Sequence, residues 1–190
     1  MKKILFSALM CAMFSFIGCE KLKEATSIDI KVDNVKFNFE ALTKNVSAAP
    51  AGNSSSPALR AGGTTSFSVE RTVDITEIGS TELAEYLNKI NKVKANNSLL
   101  KVTAVPSGNY TVTNLTVTVT GITEPLTIPS YTLGGTFTAP ANMNTFTNSF
   151  LMKLVAGPVK VKVEGQTDAP AGTTVYVVYE CDLVFSVSVI

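Results

Sequence analysis

The run from Val175 to Val189 constrains this chain more than any other stretch. Val175, Val177, Tyr179, Cys181, Leu183, Phe185, Val187 and Val189 share one parity. Tyr176, Val178, Glu180, Asp182, Val184, Ser186 and Ser188 share the other. Wound as a helix, this run would scatter its apolar side chains around the whole cylinder. Drawn out as a strand, it gathers them on one face, because successive side chains point to opposite sides. A wholly apolar face must be covered, so the strand requires a second layer against it.

The same two-residue alternation recurs upstream. Ile28, Ile30 and Val32 alternate with Asp29, Lys31 and Asp33; Val35, Phe37 and Phe39 alternate with Lys36, Asn38 and Glu40. The parity changes at Asp33-Asn34, which predicts a bulge there. Phe67, Val69, Val73 and Ile75 mark another strand, and Leu100, Val102 and Ala104 a short one that ends at the turn cluster Pro106-Ser107-Gly108-Asn109. Tyr110 and Val112 differ in parity from Leu115, Val117 and Val119, so a second bulge is expected near Thr113-Asn114. Pro125, Pro129, Gly134, Gly135 and Pro140 punctuate short or irregular strands. Phe150, Met152 and Leu154 read as a further strand, Val159, Val161 and Val163 as the next, and Gly165 to Gly172 as a loop.

Two segments break the pattern. Residues 43–65 are rich in Ala, Ser, Gly and Pro, with Leu59 nearly their only bulky apolar residue, and read as a long mobile surface loop. Residues 80–95 read as the one convincing helix. Ser80 or Thr81 can cap it, Glu82 and Glu85 occupy its first turn, and Leu83, Leu87, Ile90 and Val93 form an apolar stripe. Lys89, Lys92 and Lys94 load its negative end, and Asn96-Asn97 stops it. Such a helix serves either to bind a partner or, as the stronger expectation, to plug one open end of a β structure. The fold class expected for residues 27–190 is thus a single all-β domain, mainly an antiparallel sandwich of immunoglobulin-like form, with one inserted helix. A lipocalin-like barrel is the alternative, although the dense Val and Leu faces suit a filled core better than a cavity.

Composition narrows the chemistry. The chain has no His, which excludes a Ser-His-Asp triad, a Cys-His pair and imidazole metal ligands. Sixteen Lys and Arg against 15 Asp and Glu provide no basic stripe for nucleic acid. Glu180 with Asp182, and Asp29 with Asp33 beside Lys31, are the paired carboxylates, spaced as any solvated strand face would space them. No Asp-rich calcium loop or phosphate loop is present, and no cofactor or metal is expected. Trp is absent, which leaves Tyr86, Tyr110, Tyr131 and Tyr176 as candidates for a glycan platform. The expected role is therefore not enzymatic.

The first residues carry the one strong motif. Met1-Lys2-Lys3 is a positive head, and Ile4 to Ile17 is an uncharged apolar run of 14 residues, short of the about 20 that a membrane-spanning helix needs. Phe16-Ile17-Gly18-Cys19 follows, then the charged Glu20-Lys21-Leu22-Lys23-Glu24. The order reads as a signal peptide.

Gly18 immediately before Cys19 resembles the lipobox of bacterial lipoproteins, with Phe16 standing where Leu is usual. The resemblance implies that residues 1–18 are cleaved before Cys19, that Cys19 is acylated, and that residues 19–26 form a lipidated tether. Each buried methylene contributes about 0.8 kcal/mol, so two or three chains hold firmly where one is marginal. Cleavage removes Lys2 and Lys3 and leaves 14 basic against 15 acidic residues, so the lipid alone is expected to hold the chain to its membrane. Cys11 leaves with the signal, Cys19 is acylated, and Cys181 remains without a disulfide partner on an apolar strand face, where burial makes it inert.

The whole also resembles small β-sandwich lipoproteins of Gram-negative envelopes. That implies an envelope protein anchored by its N-terminal lipid, in the outer membrane on its periplasmic or outer face. The charged residues after Cys19 look like the tethers that route some lipoproteins outward. Its role would be binding or structural, with a protein or glycan partner. A barrel-type carrier of a small apolar ligand, or an accessory subunit of a surface assembly, are the alternatives.

Overall fold

The computed structural model describes residues 27–46, 64–133 and 139–188. Among these described residues, eight strands lie in chain order: β1 (Ser27–Leu42), β2 (Lys44–Asn45), β3 (Thr65–Val73), β4 (Ile90–Val105), β5 (Thr111–Val119), β6 (Leu126–Thr132), β7 (Val159–Thr167) and β8 (Thr174–Ser188). Two α-helices join them, α1 (Thr81–Tyr86) and α2 (Met143–Ala156). The strands form two antiparallel sheets, β1-β8-β4 and β2-β3-β7-β5-β6, which do not close into a barrel. The chain is an all-β sandwich, as the alternating strands require.

β8 is the middle of the smaller sheet. Its burial alternates without a break, every residue of the apolar parity from Val175 to Val187 being buried and every intervening one half-buried. β1 covers one edge and β4 the other, each along nearly the whole length of β8. The opposing sheet supplies Val112, Val117, Val119, Val161 and Val163 to the same core.

Among the described residues, each one with a left-handed backbone other than glycine is an asparagine at a change of register. Asn34 (φ 57°) lies between Val32 and Val35 of β1, Asn97 (φ 50°) between Asn96 and Leu99 of β4, and Asn114 (φ 52°) between Thr113 and Thr116 of β5. Asparagine tolerates this conformation better than other side chains with a Cβ. The bulges foreseen at Asp33-Asn34 and Thr113-Asn114 are present, and the helix stop expected at Asn96-Asn97 is a third bulge.

The helix expected over 80–95 is corrected. Ser80 does cap a helix, its Oγ accepting from the Leu83 amide at 3.3 Å, but α1 ends at Tyr86 and one 3₁₀ turn, Leu87–Lys89, leads into β4. The reason is a register change between Ile90 and Lys92, which brings Ile90 and Val93, three residues apart, to the same inner side. Three is also a helical spacing. The stripe is therefore ambiguous in the sequence, and pairing of Ile90, Val93 and Ala95 with Val187, Phe185 and Leu183 decides for strand.

The strand expected at Phe150, Met152 and Leu154 is likewise corrected, for these residues lie in α2. Met143, Phe146, Thr147, Phe150, Leu151 and Leu154 are its buried face, at three- and four-residue spacings, whereas Met152 points outward and is 41% exposed. Asn, Thr and Ser fill much of the first half of α2, and their weak helix propensity hides it. Gly157, at φ 151°, turns the chain out of the helix into Pro158 and β7. Inside the sandwich, the Phe150 ring stands edge-on to Phe37 of β1, with centroids 5.3 Å apart at 80°. Phe37 also stacks on Tyr179 of β8 at 6.4 Å.

The loop expected at 43–65 is corrected at its ends, where Thr43 to Asn45 and Thr65 belong to the fold. Thr43 is buried at the corner where the chain passes from one sheet to the other. Its amide donates to the Thr173 carbonyl at 2.8 Å, and its hydroxyl donates to the Pro170 carbonyl at 2.7 Å. Lys44 and Asn45 then pair with Ser66 and Thr65, while residues 47–63 lie outside the described residues. At the other end, β7 continues through Gly165 to Thr167, so the loop before β8 begins only at Asp168.

Candidate functional site

The outward face of β1-β8-β4 carries most of the residues singled out from the sequence. Glu180 and Asp182 both lie on it, on β8, and each is engaged structurally. Glu180 receives Lys36 of β1 at 3.1 Å and Lys101 of β4 at 2.6 Å, one ion pair to each flanking strand. The hydrogen bonds from Lys101 and then Lys36 hold its carboxyl below the usual carboxylate range. Asp182 accepts the Asn34 amide at 2.9 Å and the Asn97 side-chain amide at 2.7 Å. Those two bonds, the backbone one first, lower its pKa as well.

Asp182 thus ties together two bulges that face each other across β8. A bulge bends its strand and increases the local twist. One such bulge lies on each edge strand, at the same level of β8. Beyond this line the outer face holds an open trough of about 610 Å³. Asp29 and Lys31 of β1 form one wall, Lys92 and Lys94 of β4 the other, and Val184 and Ser186 of β8 the floor. Pairing sets the rows: Asp29 opposite Ser186 opposite Lys92, and Lys31 opposite Val184 opposite Lys94. Asp29 accepts from the Ser186 hydroxyl at 2.7 Å. None of Lys31, Lys92 and Lys94 forms an ion pair with another described residue, although Lys36, Lys101, Lys160 and Lys162 all do. Asp33, expected beside Asp29, sits at the bulge instead of within the trough.

Among the described residues, the void between the two sheets is small. A void of about 30 Å³ remains between Phe37, Phe150, Val117, Val163 and Tyr179, room for little more than a water molecule. The Tyr179 hydroxyl is bonded to Thr147 of α2 at 2.7 Å and donates to Ser98 of β4 at 2.8 Å. Burial pushes its pKa up to about 12. Cys181 is buried, as its parity predicts, and desolvation raises its thiol to about 12.

The four tyrosines do not gather into a platform. Tyr86 belongs to α1, Tyr131 to β6 and Tyr176 to the outer side of β8, while the Tyr110 ring lies against Gly108 at the turn before β5. All four are half-buried. Among the described residues there is no group of three potential metal ligands, and no helix is long and apolar enough to cross a membrane. Gly18 and Cys19, with the rest of the expected signal and tether at 1–26, lie outside the described residues.

The sequence sets Lys31 on the polar side of a strand and Lys92 and Lys94 near the end of an expected helix, so it does not bring the three together. Lys92 and Lys94 were expected to load the end of a helix, and only the pairing of β4 with β8 carries them to the trough. No protein-family model, curated protein or solved structure matches the chain.

Proposed function

We propose that the chain is a lipid-anchored protein of a bacterial cell envelope, held through Cys19, with a binding or structural role rather than a catalytic one. The observation that carries this reading is the order of its first residues: a Lys2-Lys3 head, a 14-residue apolar run, then Gly18-Cys19 and a charged stretch. Two features of the folded domain support the non-catalytic part. Its paired carboxylates, Glu180 and Asp182, are occupied in cross-strand contacts. Its one core cysteine is protonated at neutral pH. The small size of the interior void weighs against a carrier of apolar ligands, which needs a cavity of several hundred Å³.

Replacing the thiol tests the anchor directly. Cys19→Ala should leave an uncleaved precursor that takes up no labelled fatty acid and migrates more slowly than the processed wild type. A variant that is processed and labelled like wild type would overturn the reading.

A further inference from the structure

The net charge of the mature chain gives no reason for attraction to an anionic membrane, yet the charges are unevenly distributed. The trough beyond the Asp182 line carries Lys31, Lys92 and Lys94 against a single carboxylate, Asp29, which is already hydrogen-bonded to Ser186. On the other side of that line, Lys36 and Lys101 share the single carboxylate of Glu180. We propose that this trough is a docking site for the anionic phosphate headgroups of the membrane that carries the anchor, and that it orients the sandwich with the outer face of β1-β8-β4 toward the bilayer.

Two observations favour a lipid surface as the occupant. The first is charge complementarity. Three lysines from two strands line one concavity, with no described ion-pair partners, and together offer positive charge to phosphate oxygens. The second is continuity of the chain. Ser27, the first residue of β1, lies on the rim of this same trough. Eight residue steps separate it from Cys19, and at full extension they span at most about 28 Å. An anchor at Cys19 therefore keeps the trough close to the headgroups. Shorter tether conformations bring it within the roughly 8–10 Å over which physiological salt leaves such attraction effective. This placement rests on the anchor proposed above; the affinity of the trough for anionic lipid does not.

The test uses the mature chain, residues 19–190, carrying Cys19→Ala so that no acyl chain contributes. Its partition is measured by flotation with vesicles of phosphatidylcholine alone and of phosphatidylcholine mixed equally with phosphatidylglycerol. Each basic residue near an anionic surface raises partition about fivefold. Lys92→Gln/Lys94→Gln should therefore lower binding to the anionic vesicles by about 25-fold, and Lys31→Gln alone by about fivefold. Lys160→Gln/Lys162→Gln, on β7 of the other sheet, should leave it unchanged. Salt near 1 M, where screening acts within about 3 Å, should abolish the preference.

Equal partition into the two vesicle types would overturn the proposal, as would equal losses in the β4 and β7 variants. So would displacement of the vesicles by inorganic phosphate at concentrations that leave ionic strength unchanged, since that would make the trough a site for free phosphate. Because acylation is absent throughout, failure here leaves the Cys19 anchor standing, and failure of Cys19 labelling leaves this measurement valid.

Discussion

The correction at α2 gives the sharpest quantitative test, because helix and strand assign opposite fates to two neighbouring side chains. In a strand, Phe150, Met152 and Leu154 would share a face and be buried alike. In α2, Phe150 is 6% exposed and Met152 is 41% exposed. Phe150→Ala removes a buried ring worth about 1.5–3 kcal/mol in transfer. It also removes the edge contact with Phe37, worth about 0.5–1.5 kcal/mol. The site collapses poorly, because Phe150 already borders the 30 Å³ void and the space it leaves joins that void. The expected loss is about 3–5 kcal/mol, the usual range for a buried Phe truncated to Ala. Met152→Ala should stay within about 0.5 kcal/mol, as for other surface substitutions. Urea unfolding followed by circular dichroism measures both. An unchanged slope with a displaced midpoint assigns the difference to stability. In a domain of this size, a 4 kcal/mol loss also lowers the melting temperature by about 8–16 °C. The helix, and the packing argued from it, would be refuted if Met152→Ala cost as much as Phe150→Ala, or if Phe150→Ala cost under about 1 kcal/mol.

Two further outcomes concern β8. In the mature chain with Cys19→Ala, Cys181 should resist a thiol reagent at pH 8 and react only at the rate of global unfolding, since it is 2% exposed and its thiol is held near 12. Rapid labelling of folded protein would contradict its burial. Stability should also fall as pH rises above about 9. Cys181 and Tyr179 keep their protons in the fold up to about pH 12, whereas the unfolded chain loses them from about 9 and 10. The unfolded state then binds fewer protons, and stability decreases with pH through that window. Cys181→Val should flatten this slope in urea titrations between pH 8 and 11, and an unaltered slope would remove Cys181 as a cause.

What was legible in the sequence follows from what alternation can encode. A face that is apolar at every second residue, as in β8, leaves only one side to bury, and a parity change such as Val32 to Val35 can be met only by an extra residue. Both were therefore readable without coordinates. The failures occur where a spacing satisfies two geometries. Ile90 and Val93 fit a helix stripe and a bulged strand equally well, and the pairing with Val187 and Phe185 that decides between them is about a hundred residues away. Phe150 and Leu154 mimic a strand because a spacing of four is even, as one strand face requires, and is also about one turn of a helix. Its real marker, Phe146 with Phe150 and Leu154 at four-residue intervals, is diluted by the intervening Thr, Asn and Ser.

The trough was unreadable for a different reason. Net charge is a sum, and a sum near zero is compatible with charges that alternate evenly or that separate into regions. Parity places Lys31, Lys36 and Lys101 on outward faces, and pairing with β8 adds Lys92 and Lys94, but which of them meets a carboxylate depends on register. Register in this sheet changes at two asparagines in left-handed conformation, Asn34 and Asn97, and again between Ile90 and Lys92. Asn34 and Asn97 each add a residue to an edge strand, and Asp182 fixes both bulges at one level of β8. On one side of that level the register brings Lys36 and Lys101 to Glu180; on the other it brings Lys31, Lys92 and Lys94 around Val184 and Ser186. The residue that joins the two bulges thus also marks the boundary between the two groups of lysines. Loss of the Asp182 carboxylate should therefore disturb the lysine trough before it disturbs the core, because Asp182 points outward and the apolar parity of β8 stays paired and buried without it.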